Sequence, residues 1–270
     1  MLIILALMFF DSNYRLVTES FTVESVKLPE SISGLRIVHL SDMHATTYGK
    51  DNSEFFAAVR AAGPDIIAIT GDIIDGSDDE SEIEREREYV RDTITRLVKI
   101  APVYYVTGNH EWVSPWRKEL FELISDCGAT VLRNQYVLLE SGGDSIVLAG
   151  VDDPNGPYDM KTPAELVAEI RENEGDKYIV MLAHRHDRID MWVSLGVDLV
   201  LCGHAHGGIV RLPFTDGLYA PGKVFFPSYT SGVYTEGGTT ELVSRGVGGL
   251  KIRFMNNPEI IVAELRREGV

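Results

Sequence analysis

The sequence predicts an α/β domain, and three observations predict it. Short apolar runs of strand length recur between residues 35 and 202, and several end in polar turns that carry Gly, Asp, Asn or His. Segments with apolar residues at helical spacing lie between them. The 270 residues are 44% hydrophobic and 24% charged, which suits one sizeable core. Strands alternating with helices build a sheet covered by helices.

Residues 1–10 (MLIILALMFF) are continuously apolar and break at Asp11-Ser12-Asn13. Ten helical residues rise about 15 Å, half of a hydrocarbon core about 30 Å thick, so the run cannot span a bilayer as written. It lacks the basic start and small-residue cleavage site of a signal peptide. Three readings stay open: the end of a transmembrane anchor that begins before this numbering, a short interfacial anchor, or a buried first strand or helix. Aromatic residues at the polar border favour the two membrane readings. The expected organisation is an apolar segment over residues 1–14 and a single domain over 15–270, membrane-associated, with a cytoplasmic location as the alternative.

Residues 15–28 alternate apolar and polar and read as a strand on a sheet surface. Residues 35–40 are a buried strand ending at Ser41-Asp42-Met43-His44. A helix from residue 52 or 53 to 62 closes at Gly63-Pro64. The strand at 65–70 ends at Gly71-Asp72-Ile73-Ile74-Asp75. Within residues 77–100, Ile83, Tyr89, Val90, Ile94, Leu97 and Val98 mark a long amphipathic helix whose acidic start suits a helix N-terminus. A strand at 103–106 ends at Thr107-Gly108-Asn109-His110-Glu111, and a helix follows over 115–126. Beyond residue 131 come strands around 137–139 and 145–151, a helix over 163–172 and a strand at 178–183 ending at His184-Arg185-His186-Asp187. A short helix at 188–195 leads to a strand at 198–202, which ends at Gly203-His204-Ala205-His206. Residues 209–264 read as loops and antiparallel strands.

The formal net charge of −16 argues against nucleic acid as a partner, since binding its backbone calls for a basic face. Any phosphate handled here needs cations brought to the site. Cys127 and Cys202, the only cysteines, read as buried thiols and offer neither a disulfide framework nor a four-cysteine zinc site.

Five strand ends carry the chemistry: Asp42 with His44, Asp72 with Asp75, Asn109 with His110, His184, and His204 with His206. Of seven histidines only His39 and His186 fall outside this set. Asp-x-His and His-x-His in extended chain place both side chains on one face. Together they make a mixed nitrogen and oxygen donor set large enough for two divalent ions. His39, inside an apolar strand, reads as structural. The run Gly246-Val247-Gly248-Gly249 lacks the Gly-Lys-Ser/Thr ending and strand-to-helix setting of a phosphate loop. No Gly-x-Ser-x-Gly elbow is present.

In this order, Asp42-x-His44, Gly71-Asp72-x-x-Asp75, Gly108-Asn109-His110-Glu111, His184 and Gly203-His204-x-His206 resemble the calcineurin-like metallophosphoesterase family. Leu218-Tyr219-Ala220-Pro221-Gly222, Tyr229-Thr230-Ser231-Gly232, Ser244-Arg245-Gly246 and Pro258-Glu259-Ile260 resemble a bacterial membrane-associated subgroup that includes UDP-2,3-diacylglucosamine pyrophosphatases. The resemblance implies a four-layer αββα sandwich of two mostly mixed β-sheets flanked by helices. It implies one metal on Asp42, His44, Asp72 and His206, another on Asp72, Asn109, His184 and His204, and Asp72 bridging them. His110 matches a histidine beside the leaving group, and Asp75 the acid that orients it. Two divalent ions, Mn²⁺ first and Fe, Zn²⁺ or Co²⁺ as alternatives, would activate a bridging hydroxide against a phosphodiester or pyrophosphate. The substrate expected from the subgroup is lipid-linked, a glycolipid resembling UDP-2,3-diacylglucosamine. A broad-specificity soluble phosphodiesterase and a non-catalytic metal-binding scaffold are the alternatives. His186 stands where the subgroup often has Pro, and Ile209 where it often has Gln; neither is expected to be a ligand. Glu111 is expected to support its loop through hydrogen bonds.

Overall fold

A computed structural model of the chain describes residues 2–157, 160–212, 217–220, 224–249 and 252–269. Met1, and Pro221 and Gly222 of the subgroup motif, lie outside them. The strands are β1 (Val17–Ser25), β2 (Arg36–Leu40), β3 (Ile66–Thr70), β4 (Val103–Val106), β5 (Thr130–Val131), β6 (Gln135–Ser141), β7 (Asp144–Gly150), β8 (Ile179–Leu182), β9 (Leu199–Cys202), β10 (Tyr219–Ala220), β11 (Val224–Phe225), β12 (Gly232–Glu236), β13 (Thr239–Val243) and β14 (Glu259–Arg267). The helices are α1 (Leu2–Tyr14), α2 (Ser53–Ala61), α3 (Glu80–Leu97), α4 (Asn109–Val113), α5 (Arg117–Asp126), α6 (Pro163–Glu174) and α7 (Ile189–Leu195).

Two six-stranded sheets, ordered β1-β14-β2-β3-β4-β5 and β12-β13-β9-β8-β7-β6, face each other. Strand residues alternate between two apolar environments, which is how a strand buried on both sides keeps an unbroken apolar run. In β2 and β3, Ile37, Ile66 and Ala68 enter the layer between the sheets with Val180, Leu182, Leu199 and Leu201. Val38, Leu40, Ile67 and Ile69 point the other way, onto Phe55 and Phe56 of α2, Val90 and Ile94 of α3, and Leu120 of α5. Across the molecule Val147, Ile179, Met181 and Val200 meet Leu166 and Ile170 of α6 and Trp192 of α7. The result is the expected helix-sheet-sheet-helix sandwich. Both sheets are mixed: β2, β3 and β4 run parallel, as do β7, β8 and β9, while β14 is antiparallel to β2 and β6 to β7.

Three local features differ from the sequence expectations. The C-terminal strands are not all antiparallel: β13 joins β9 in parallel and β14 joins β1 in parallel along nine residue pairs. Such pairings close contacts across long stretches of chain that local patterning does not encode. The chain after β4 coils into α4, which opens at Asn109 and brings His110 back over Asp72. Cys202 is buried and Cys127 half-buried; both are free thiols. The acidic start of α3 behaves as its composition suggests, since Asp79 accepts hydrogen bonds from the N–H groups of Ser81 and Glu82 at the N-terminus.

Residues 2–14 form one helix. Ser12 is buried, and the Asn13 side chain pairs with both backbone groups of Arg253, accepting from its N–H at 2.8 Å and donating to its carbonyl at 2.7 Å. Ile3, Leu7, Phe10 and Tyr14 remain exposed, so the apolar start is not a buried core element. Among the described residues no helix is long and apolar enough to cross a membrane.

Candidate metal centre

The ends of β2, β3, β4, β8 and β9 bring all nine candidate side chains together at one edge of the sandwich. Asp42, His44, Asp72, His204 and His206 adopt positive φ, between 46° and 64°. Non-glycine residues in this region cost energy, and their clustering in three separate turns, after β2, β3 and β9, is a mark of a functional site. The turns also need room. A Cβ on Gly108 would sit 2.2 Å from Asp72 Oδ1, and one on Gly203 would sit 2.2 Å from Asp42 Oδ2.

Asp42, His44 and His206 form one group with ligand atoms within 4.8 Å of one another. Asp42 Oδ2 is committed to the hydroxyl of Ser41 at 2.6 Å and the N–H of His204 at 3.0 Å. Its Oδ1, and Nε2 of His44, are buried without a hydrogen-bond partner. His44 Nδ1 lies 2.9 Å from Asp75 Oδ1, an arrangement that keeps the proton on Nδ1 and leaves the Nε2 lone pair free. Orphaned acceptors facing each other in a buried site fit a divalent cation.

Asp72, His184 and His204 form a second such group. His184 Nδ1 donates to the Thr70 carbonyl at 2.8 Å, so its Nε2 faces inward, 3.2 Å from Asp72 Oδ2, 3.2 Å from His204 Nδ1 and 3.1 Å from Asn109 Oδ1. This set of carboxylate, imidazole and amide oxygen also suits a divalent ion. Asp72 Oδ2 lies between the groups, 3.8 Å from His44 Nε2 on the other side.

The electrostatics show how strongly these groups depend on each other. Burial would raise the pKa of Asp42, but His206 and His184 hold it down at about 2. Asp72 is likewise held below the usual carboxylate range by His184, His44 and His110 against the effect of burial. Burial would lower the pKa of His184, yet Asp72 and Asp42 raise it to about 10. Two carboxylates held ionised in a buried site favour positive charge there.

The surroundings fix these turns. Glu111, fully buried, accepts from the N–H groups of Asp72 (2.9 Å), Ile73 (2.8 Å) and Gly108 (2.6 Å), tying the β3 and β4 loops together. Burial and the Asp72 charge push its pKa up to about 7. Glu86 of α3 accepts from the N–H groups of Asp75 and Gly76. His110 sits at the lip, its Nε2 3.9 Å from Asp72 Oδ2 and its Nδ1 2.6 Å from the backbone carbonyl of Asp75. The expected carboxylate contact between Asp75 and His110 is thus made by the main chain; the Asp75 side chain reaches His44 instead. His39 bonds Thr70 Oγ1 at 2.7 Å beneath the site, with burial lowering its pKa to about 3. His186 is buried, its ring 5.9 Å from that of His204.

Sequence reasoning set aside residues 246–249, and the structure brings them to the site. Gly249 packs so closely that a Cβ would lie 2.2 Å from His44 Cδ2. Buried Arg253 holds the segment by donating to the carbonyls of Arg245 at 2.9 Å and Gly248 at 2.7 Å. The available signal was the glycine spacing itself, read only against the phosphate-loop pattern.

A four-layer sandwich that gathers two adjoining Asp/His groups at its strand ends defines a metal-dependent phosphoester hydrolase. The chain belongs to the calcineurin-like phosphoesterase family, whose model matches residues 35–208. It is similar to "Uncharacterized metallophosphoesterase YkuE" of Bacillus subtilis (strain 168), 30% identical over 260 residues that cover 94% of this chain and 86% of the relative. It is similar to "Phosphodiesterase YaeI" of Escherichia coli (strain K12), 27% identical over 241 residues covering 87% and 84%. Among solved structures, "GAP50 the anchor in the inner membrane complex of Plasmodium" shares the fold at a TM-score of 0.51 and 12% identity, over 85% of this chain and 80% of that one.

Proposed function

We propose that the chain hydrolyses a phosphodiester or pyrophosphate bond using two divalent ions, Mn²⁺ foremost, held on a shared Asp72 carboxylate. The observation that carries this reading is the position of Asp72 Oδ2, 3.2 Å from His184 Nε2 and 3.8 Å from His44 Nε2. Asp42, His44 and His206 would hold one ion, and Asn109, His184 and His204 the other. When bound, such a pair supplies Lewis-acid activation of water and charge for the phosphoryl oxygens. The protein's own part is positional. Thr70 O and Asp75 Oδ1 keep His184 and His44 turned with Nε2 inward. His110, half-exposed at the lip with Nδ1 on the Asp75 carbonyl, presents Nε2 to the substrate and in its protonated form can donate to the leaving oxygen.

The relative named a phosphodiesterase supports the diester class. A lipid-linked substrate and a membrane surface draw support from the exposed stripe Ile3, Leu7, Phe10 and Tyr14 of α1 and from exposed Phe225 and Phe226. Hydrolysis of bis(4-nitrophenyl) phosphate with added Mn²⁺ tests the chemistry: wild type must outpace Asp72→Ala by a wide margin. Equal rates would leave a metal-binding scaffold as the better reading.

A further inference from the structure

The apolar helix α1 takes no part in the chemistry described so far, yet polar contacts run from its last turn to the ligands of one metal group. Among the residues of α1 whose side chains are described only Ser12 is buried, so these side chains do not hold the helix through a dry core. A groove of about 550 Å³ is lined by Leu7, Met8, Asp11 and Ser12 on one side and by Met255 and Asn257 on the other. Two amides fasten the helix at this seat. Asn13 accepts the N–H of Arg253 and donates to its carbonyl, and Asn257 Nδ2 donates to the carbonyls of Asp11 (2.7 Å) and Arg15 (3.3 Å).

The same stretch, residues 253–257, backs the group of Asp42, His44 and His206. The buried Arg253 guanidinium donates to the carbonyls of Arg245 and Gly248. Val247 and Gly248 in turn donate their N–H groups to the carbonyls of Ser41 (2.9 Å) and Asp42 (2.8 Å). This segment lies directly against the ligands: a Cβ on Gly246 would stand 2.9 Å from Asp42 Cβ, and one on Gly249 2.8 Å from His206 Cε1. Asn256, fully buried, donates from Nδ2 to the carbonyls of His206 at 2.7 Å and Ile209 at 3.0 Å. The group of Asp72, His184 and His204 takes its anchors elsewhere, from the Thr70 carbonyl on His184 and from Glu111 beneath Asp72.

We propose that the seating of α1 and cation binding by Asp42, His44 and His206 are coupled, so that the helix governs one of the two metal positions. Asn13, Arg253 and Asn256 are positioning residues, acting through the loops behind the ligands rather than on an ion or a substrate. Coupling of this kind is reciprocal: a cation in this group tightens the helix by the same factor by which the seated helix tightens the cation. The proposal rests on the two-metal reading and adds to it a control element outside the site.

The test titrates Mn²⁺ calorimetrically into the full chain and reads amide hydrogen exchange by mass spectrometry with and without Mn²⁺. In wild type, Mn²⁺ should slow exchange in α1 as well as in residues 245–249. Asn13→Ala should speed exchange at 245–249 and weaken one of the two ions about 10-fold, the scale for partners that orient metal ligands. The other ion should bind as in wild type, the amides of Asp72 and Gly108 that Glu111 holds should exchange as before, and α1 should no longer respond to Mn²⁺. Asn13→Asp keeps the acceptor for the Arg253 N–H and should recover part of the loss; a larger loss than in Asn13→Ala would count against the clamp. Two ions weakened equally, or unchanged affinities with unchanged exchange at 245–249, overturn the proposal. Wild type that takes up fewer than two ions fails the two-metal reading instead, while exchange at 245–249 in Asn13→Ala still decides whether α1 holds that loop.

Discussion

Gly108→Ala isolates the packing between the β3 and β4 loops. The N-cap glycine has φ −109°, which alanine adopts freely, so no backbone strain enters. The new methyl would lie 2.2 Å from Asp72 Oδ1 and 2.7 Å from Asp72 N. Relief to an ordinary contact of about 3.5 Å moves the carboxylate or the Asn109 loop by more than about 1 Å. Overpacking of this kind costs about 2 kcal/mol, or about 6 °C in Tm for a chain of this size. The same displacement at a positioned catalytic group costs about 100-fold in rate. The assay is turnover of bis(4-nitrophenyl) phosphate with Mn²⁺, with metal content of the purified variant alongside. Gly175→Ala is the control: its φ of +66° carries strain, but nothing lies within 4 Å of the added carbon, so it should lose some stability and no activity. Gly108→Ala with both ions and near wild-type turnover would refute the reasoning.

Two further outcomes follow from the same geometry. Asp75→Ala removes the acceptor that orients His44, and should weaken metal binding about 10- to 100-fold, while the backbone carbonyl at position 75 still holds His110; a metal titration with unchanged affinity would contradict this. Burial pushes the Glu241 pKa up to about 8 from an ordinary 4.5, so as pH rises through 4.5 the unfolded chain ionises there and the folded chain does not. Stability contributed by this group falls until about pH 8 and then levels, and Glu241→Gln should lose less Tm between pH 5 and 8 than wild type. Equal losses in the two proteins would count against the buried acid.

The layers were legible because β2, β3, β8 and β9 are short apolar runs that end in polar turns, and because α3 keeps a clear helical stripe through Val90, Ile94 and Leu97. The candidate ligands were legible as donor types at strand ends. Their backbone was not: positive φ at Asp42 or His206 is imposed by contacts between separate loops, not by local preference. The resemblance paired Asp75 with His110, and only the folded path of α4 gives His44 the side chain and His110 the carbonyl. The parallel docking of β14 on β1 and the return of residues 246–249 to the site bring together parts of the chain far apart in sequence.

Metal stoichiometry tests the Asp72 bridge most directly. Mass spectrometric counting of Mn²⁺ in dialysed protein should find two ions per chain in wild type and a loss at both positions in Asp72→Ala. One ion in wild type, or two retained by Asp72→Ala, would contradict a centre built on that shared carboxylate.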